Sequence, residues 1–183
     1  IAEYFVYDEL LYHAMTSDVR RLQSYQVAFE ALAKDKVVVD IGTGQDAILA
    51  RRCVEAGATR VYAIELLQES YEQARKCVHN LGLDERIVVL HGNALHVELP
   101  EPVDLCVSEI VGAIGGSEGA AVILNDARRF LKPGGVMFPE QSITLIAPVC
   151  LPDEVLADPR FSVVACHYVD RIFAQVGYPV HLR

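Results

Sequence analysis

No two cysteines of this chain stand at C-x-x-C spacing: Cys53, Cys77, Cys106, Cys150 and Cys166 are far apart. Three of them sit in apolar runs, so they are expected as reduced core residues of a cytoplasmic protein, with the nucleus also open to a eukaryotic chain. Basic residues are scarce too, 16 against 25 acidic ones, for a net charge of -9. That balance argues against a broad nucleic-acid surface and suits a cationic partner. No apolar run reaches transmembrane length, so no membrane association is expected. His79, His91, His96 and His167 show no metal-ligand spacing, and no metal is expected. G-x-x-x-x-G-K-[ST] is missing, which disfavours a P-loop phosphotransferase. There are no internal repeats and no low-complexity linker. The sequence opens on Ile1 without a methionine or a signal-like stretch, and is expected to start inside a longer chain.

What is present is apolar and periodic. Of the 183 residues, 52% are hydrophobic and 22% charged, enough for a core and too few charges for disorder. The length suits one domain, or one plus part of another. Residues 3–16 fit a short helix, and Asp18 could cap a second over 19–34, where Leu22, Tyr25, Phe29 and Leu32 make one apolar face. Strands are expected at 36–42, 60–65, 86–92, 103–109 and 136–139. Helices are expected at 46–56, 68–81 and 119–131, with PGG as the turn before the fifth strand. Alternation of this kind gives right-handed crossovers and a mostly parallel sheet with helices on both faces. SITLIAPVCL, 142–151, begins a further strand, and the remainder reads as two strands or as a strand and a short helix.

Ligands of such sheets bind beyond the carboxyl ends of the strands. That rule gathers Asp40 to Gly44, Glu65, Asn93 and Glu109 around one crevice. In VVVDIGTGQDA, Gly42 and Gly44 follow the first strand directly and precede a helix whose free N–H groups can face a polar cofactor group. Glu65 ends the second strand, where an acid can accept hydrogen bonds from ribose hydroxyls. In SEIVGAIGGSEG, Glu109 and Glu118 are separated by small and apolar residues. Two carboxylates so placed either face solvent or grip one cation.

With Asp40, Gly42, Gly44 and Glu65 in this order, and with AGATRVYAIE, VELPEPVDLCVSE and FLKPGGVMFP, the chain resembles class I S-adenosylmethionine-dependent methyltransferases. Within them it resembles the protein arginine methyltransferase family. YFVYD and the pattern Met15, Asp18, Arg21, Tyr25 add to the resemblance. It implies a Rossmann-like α/β fold that binds S-adenosylmethionine and releases S-adenosylhomocysteine. It implies Arg21 on the cofactor's methionine carboxylate, Met15 near cofactor and substrate, and Tyr4 and Phe5 folding over the cofactor. Asp40, Gly42, Gly44 and Glu65 would line the cofactor, with Asn93 and Ala94 at the adenine. Glu109 and Glu118 would be the paired catalytic glutamates of the family's double-E loop, Glu109 also bordering the cofactor.

A guanidinium is planar and offers five donors in a fixed fork, so two carboxylates can hold both sides of it and aim one nitrogen at the methyl group. The expected reaction is therefore methyl transfer to a guanidino nitrogen. The partner would be an arginine-containing protein or a small guanidino compound. The loop departs from the family's pattern: Ile110 and Ala113 stand where aromatics are usual, and the chain has no tryptophan. A small-molecule N- or O-methyltransferase, or an inactive cofactor-binding or scaffolding fragment, stays open as an alternative. The division expected is 1–140 for the N-terminal helices and cofactor domain, and 141–183 for the incomplete start of a β-barrel-like substrate domain. A homodimer is expected if the family's barrel and arm follow.

Overall fold

The protein is described from a computed structural model, which covers residues 9–110, 119–158, 160, 163 and 166. Tyr4, Phe5 and Glu118 lie outside the described residues. The described elements are α1 (Glu9–Thr16), α2 (Val19–Leu32), β1 (Val37–Ile41), α3 (Ile48–Glu55), β2 (Arg60–Glu65), α4 (Gln68–Asn80), β3 (Ile87–His91), β4 (Val103–Ser108), α5 (Ala120–Ala127), β5 (Leu131–Phe138) and α6 (Asp153–Ala157), with a 3-10 turn at Arg128–Phe130. Residues 18–143 form one compact unit, and residues 1–17 group with 144–183 in another.

In the larger unit the five strands are all parallel, in the order β3-β2-β1-β4-β5. Alternation along the strands fills both faces. Val38, Val61, Ala63, Ile87, Leu105 and Val107 pack with α2, α3 and α4. Val39, Ile41, Tyr62, Ile64 and Cys106 pack on the other side with Ala127 of α5 and Phe130 of the 3-10 turn. Helices thus cover both faces, which is why β1, β2 and β4 read as continuous apolar runs and not as polar–apolar alternation. Burial pushes the Cys106 thiol up to about 12, which leaves it an inert core group.

α2 starts as its sequence signals. Asp18 accepts hydrogen bonds from the Arg20 and Arg21 amides, at 3.0 and 3.1 Å, satisfying two orphan donors of the first turn. Tyr25, Phe29 and Phe138 then meet edge-on, with ring centroids 5.3–5.9 Å apart. These contacts tie α2 to the end of β5, and burying Phe29 alone contributes roughly 2–3 kcal/mol.

Two expectations change. PGG is no turn ahead of a short fifth strand but lies inside β5. Val103 pairs with Leu131 and Leu105 with Val136, so the intervening residues of β5 bulge out, with Gly134 at φ +82°. Glycine supplies the backbone freedom that such a bulge needs. The strand expected at 142–151 is absent: none of the described strands pairs with it, and Leu145 and Ile146 are 89% and 92% exposed. An apolar run without a partner strand has nowhere to send its backbone hydrogen bonds except water. In the smaller unit, α1 ends with the Ser17 amide and the Thr16 hydroxyl both bonded to the His13 carbonyl. α6 is a single short turn of helix preceded by Pro152.

Candidate functional site

The sheet order reverses between β1 and β4. From β1 the chain moves outward to β2 and β3, then crosses back to place β4 on the other flank of β1. The backbones diverge at their carboxyl ends there, which opens the crevice where such sheets take ligands. Ile41 and Ser108 are paired across that point, so the glycine turn after β1 and Glu109 after β4 leave the sheet side by side.

Gly42 has φ +74°, and a Cβ on it would lie 2.7 Å from Ile110 Cγ2. Both the backbone conformation and the closeness of the β4 loop require glycine. The Gly42 and Thr43 amides donate to the Ile64 carbonyl at 3.0 and 3.1 Å, and the Gly44 amide donates to Glu65 Oε2 at 2.9 Å. Ala47 follows at φ 46°, a left-handed conformation unusual for a residue with a Cβ. It is fully buried in the α2–α4 face, and packing holds it there. α3 consequently begins at Ile48, two residues later than the sequence pattern places it, and without a side-chain cap.

The two acids of the crevice do different work. Glu65 is 7% exposed; its Oε2 holds the Gly44 amide and its Oε1 the Leu67 amide at 2.9 Å. Asp40 is fully buried and faces the loop from beneath. Its Oδ2 accepts from Thr43 Oγ1 at 2.6 Å and from the Ala50 amide at 3.2 Å, while Oδ1 has no hydrogen-bond partner. Burial pushes the Asp40 carboxyl up to about 7, the negative charges of Glu65 and Glu109 add to the rise, and its two hydrogen bonds oppose it. Asp40 therefore braces the loop through Thr43, a residue the sequence pattern did not single out.

Arg21 reaches the same crevice from α2. Its Nη1 lies 2.7 Å from Glu109 Oε2, with the two side chains 22% and 24% exposed. One turn on, Tyr25 Oη donates to the Ser108 carbonyl at 3.1 Å. Burial first, then Glu109, pushes the Tyr25 hydroxyl up to about 12, so it remains a donor. The spacing Asp18, Arg21, Tyr25 thus has a physical meaning: cap, ion pair and strand-end contact fall on successive turns of one helix.

The loop after β3 closes the far side. Gly92 donates to the Glu65 carbonyl at 2.9 Å. Asn93 is folded into its own turn, with Oδ1 accepting from the Leu95 amide at 2.9 Å and its carbonyl accepting from His96 and Val97. Ala94, next in that turn, is 8% exposed, and its side chain packs into the second face of the sheet as a small apolar plug. Met15 lies on α1, in the smaller unit, and is 42% exposed. The structure thus brings together Arg21, Asp40, Gly42, Gly44, Glu65, Asn93 and Glu109, all of the larger unit.

These residues fit a cofactor bearing a diol and a carboxylate. A carboxylate has about four acceptor positions, and the two backbone bonds to Glu65 leave capacity for a diol. Arg21 Nε is buried with no hydrogen-bond partner, a donor suited to a carboxylate oxygen.

The family model of the methyltransferase domain matches residues 38–135, the whole sheet from β1 into β5. A probable protein arginine N-methyltransferase 6 of Arabidopsis thaliana is 36% identical over 149 residues, 78% of this chain and 33% of that protein. Among solved structures, Arabidopsis thaliana protein arginine methyltransferase 10, in an open conformation, superposes with a TM-score of 0.65 at 35% identity, over 74% of this chain and 39% of that one. The Trypanosoma brucei PRMT1 enzyme–prozyme heterotetrameric complex with AdoHcy gives a TM-score of 0.66 at 31% identity, over 71% and 42%. This chain accordingly spans about a third to two fifths of the length of these relatives. By that match the chain belongs to the methyltransferase-domain family, and the relatives it resembles are protein arginine methyltransferases.

Proposed function

We propose that this chain supplies the cofactor site and a guanidinium-holding carboxylate for methyl transfer to a guanidino nitrogen of arginine or an arginine-like compound. The observation that carries the reading is the position of Glu109. It leaves β4 beside the glycine turn, half-buried, with its carboxylate against Arg21. An acid at that point faces both the cofactor crevice and whatever is presented to it.

Arg21 would hold the cofactor's carboxylate, Glu65 the ribose hydroxyls, and Gly42 and Gly44 would allow close backbone approach. When bound, S-adenosylmethionine supplies a methyl group made electrophilic by its sulfonium. Glu109 orients the guanidinium through paired N–H donors so that one terminal nitrogen faces that methyl. Glu118, matched to the family's second glutamate, would close the other side. The nitrogen gives up a proton on methylation, and a carboxylate or water accepts it. Holding the guanidinium charge in a partly dry crevice makes each carboxylate contact stronger than in water.

The test is methyl transfer from labelled S-adenosylmethionine to arginine-containing peptides and to free guanidino compounds. Transfer that falls at least about a hundredfold in Glu109→Gln, with S-adenosylhomocysteine affinity no more than about threefold weaker, supports the reading. Unchanged turnover in that variant contradicts it.

A further inference from the structure

Arg129 stands outside the crevice, yet its guanidinium makes a dense set of polar contacts. Nη2 donates to the Ala94 carbonyl at 3.0 Å and to the Val97 carbonyl at 2.6 Å. Nη1 bonds Glu98 at 3.2 Å, and Nε bonds Asp126 at 2.9 Å. The guanidinium also lies over the Phe130 ring, 4.2 Å from its centroid, and Phe130 is itself buried in the core. Four of its five donors, in one rigid fork, are thereby spent joining the loop after β3 to the end of α5.

Ala94 and Val97 seat that loop on the core, and its other polar contacts are local. The His96 and Val97 amides bond the Asn93 carbonyl, and Asn93 Oδ1 bonds the Leu95 amide, all within one turn. Its tether to the sheet is Gly92, whose Cβ, if it had one, would lie 2.8 Å from Val97 Cγ2. The turn is internally complete, and Arg129 holds two of its carbonyls at once from behind. Asn93 sits at its head, on the side of Glu65.

We propose that Arg129 is a positioning residue: by pinning the 93–98 turn it places Asn93 and its neighbours for the purine end of the cofactor, without touching the cofactor. This rests on the cofactor reading above. Arg129→Lys keeps charge and length but cannot take both carbonyls while also reaching the two acids.

Two measurements test it on the full chain. In ligand-free protein, hydrogen exchange at the His96 and Val97 amides should quicken at least tenfold in Arg129→Ala, while amides of β1 and β2 keep their protection. S-adenosylhomocysteine affinity should fall roughly tenfold in Arg129→Ala and less in Arg129→Lys, with KM for S-adenosylmethionine rising and kcat held within about threefold. Binding by wild type with equal affinity in both variants overturns the proposal and leaves the cofactor reading intact. Faster exchange throughout β1 and β2 also overturns it, since Arg129 would then support the fold at large. Wild type that binds no S-adenosylhomocysteine overturns the cofactor reading itself, and the role of Arg129 falls with it.

Discussion

Arg21 Nη1 and Glu109 Oε2 lie 2.7 Å apart, across 88 residues of sequence, at the point where the sheet order reverses. The pair joins the residue proposed for the cofactor's carboxylate to the residue proposed for the substrate's guanidinium. A bound carboxylate competes for Arg21, and a bound guanidinium competes for Glu109. Occupation of one partner therefore releases the other, so the two ligands should bind with positive coupling. A guanidino ligand titrated with and without saturating S-adenosylhomocysteine should bind several-fold more tightly with it. Equal affinities would show that the ion pair does not link the two sites.

Asp40 should make stability fall as pH rises. In the folded protein its carboxyl stays protonated up to about pH 7, against an ordinary value of 3.8 in the unfolded chain. Between those values the folded state binds the extra proton, so this contribution is complete below about pH 4 and is lost by the time pH passes 7. Asp40→Asn can keep both bonds, its carbonyl facing Thr43 and Ala50. It should remove this part of the pH dependence and melt above wild type at pH 8, by a margin on the order of a few kcal/mol. Melting curves at pH 5 and pH 8 decide it; parallel slopes in the two proteins would contradict the assignment.

Gly42→Ala combines a left-handed backbone with a Cβ 2.7 Å from Ile110 Cγ2. The conformational cost alone is roughly 1–2 kcal/mol, with the clash added. Ile110→Ala in the same chain should recover the clash and not the backbone cost. Thermal melts of the single and double variants separate the two parts.

Tyr25→Phe keeps the ring contacts to Phe29 and Phe138 and removes only the bond to the Ser108 carbonyl. It should cost about 1 kcal/mol, against roughly 3–5 kcal/mol for Tyr25→Ala. Comparable losses in urea denaturation would mean that the hydroxyl, not the ring, holds α2 to β4.

Much of this was legible because single residues carried it. Asp18 announces the start of α2, and the apolar runs ending at Asp40, Glu65 and Glu109 announce strands whose polar ends share one edge. Gly42, directly after β1, marks a turn where a Cβ has no room. What the sequence hides is partnership. Nothing local says that Arg21 meets Glu109, that Thr43 reaches back to Asp40, or that Arg129, in an ordinary-looking RRF, holds the turn after Asn93. PGG misled because a bulge and a turn ask the same freedom of glycine. The 142–151 run misled because an apolar pattern promises a strand only when another strand is there to pair with it.

The most direct test is calorimetric titration of S-adenosylhomocysteine into wild type, Arg21→Ala and Glu65→Ala. One saturable site in wild type, weakened at least about tenfold in each variant without loss of fold by circular dichroism, is the result expected. A wild type that binds nothing, or variants that bind as well as it does, would contradict the assignment of the crevice.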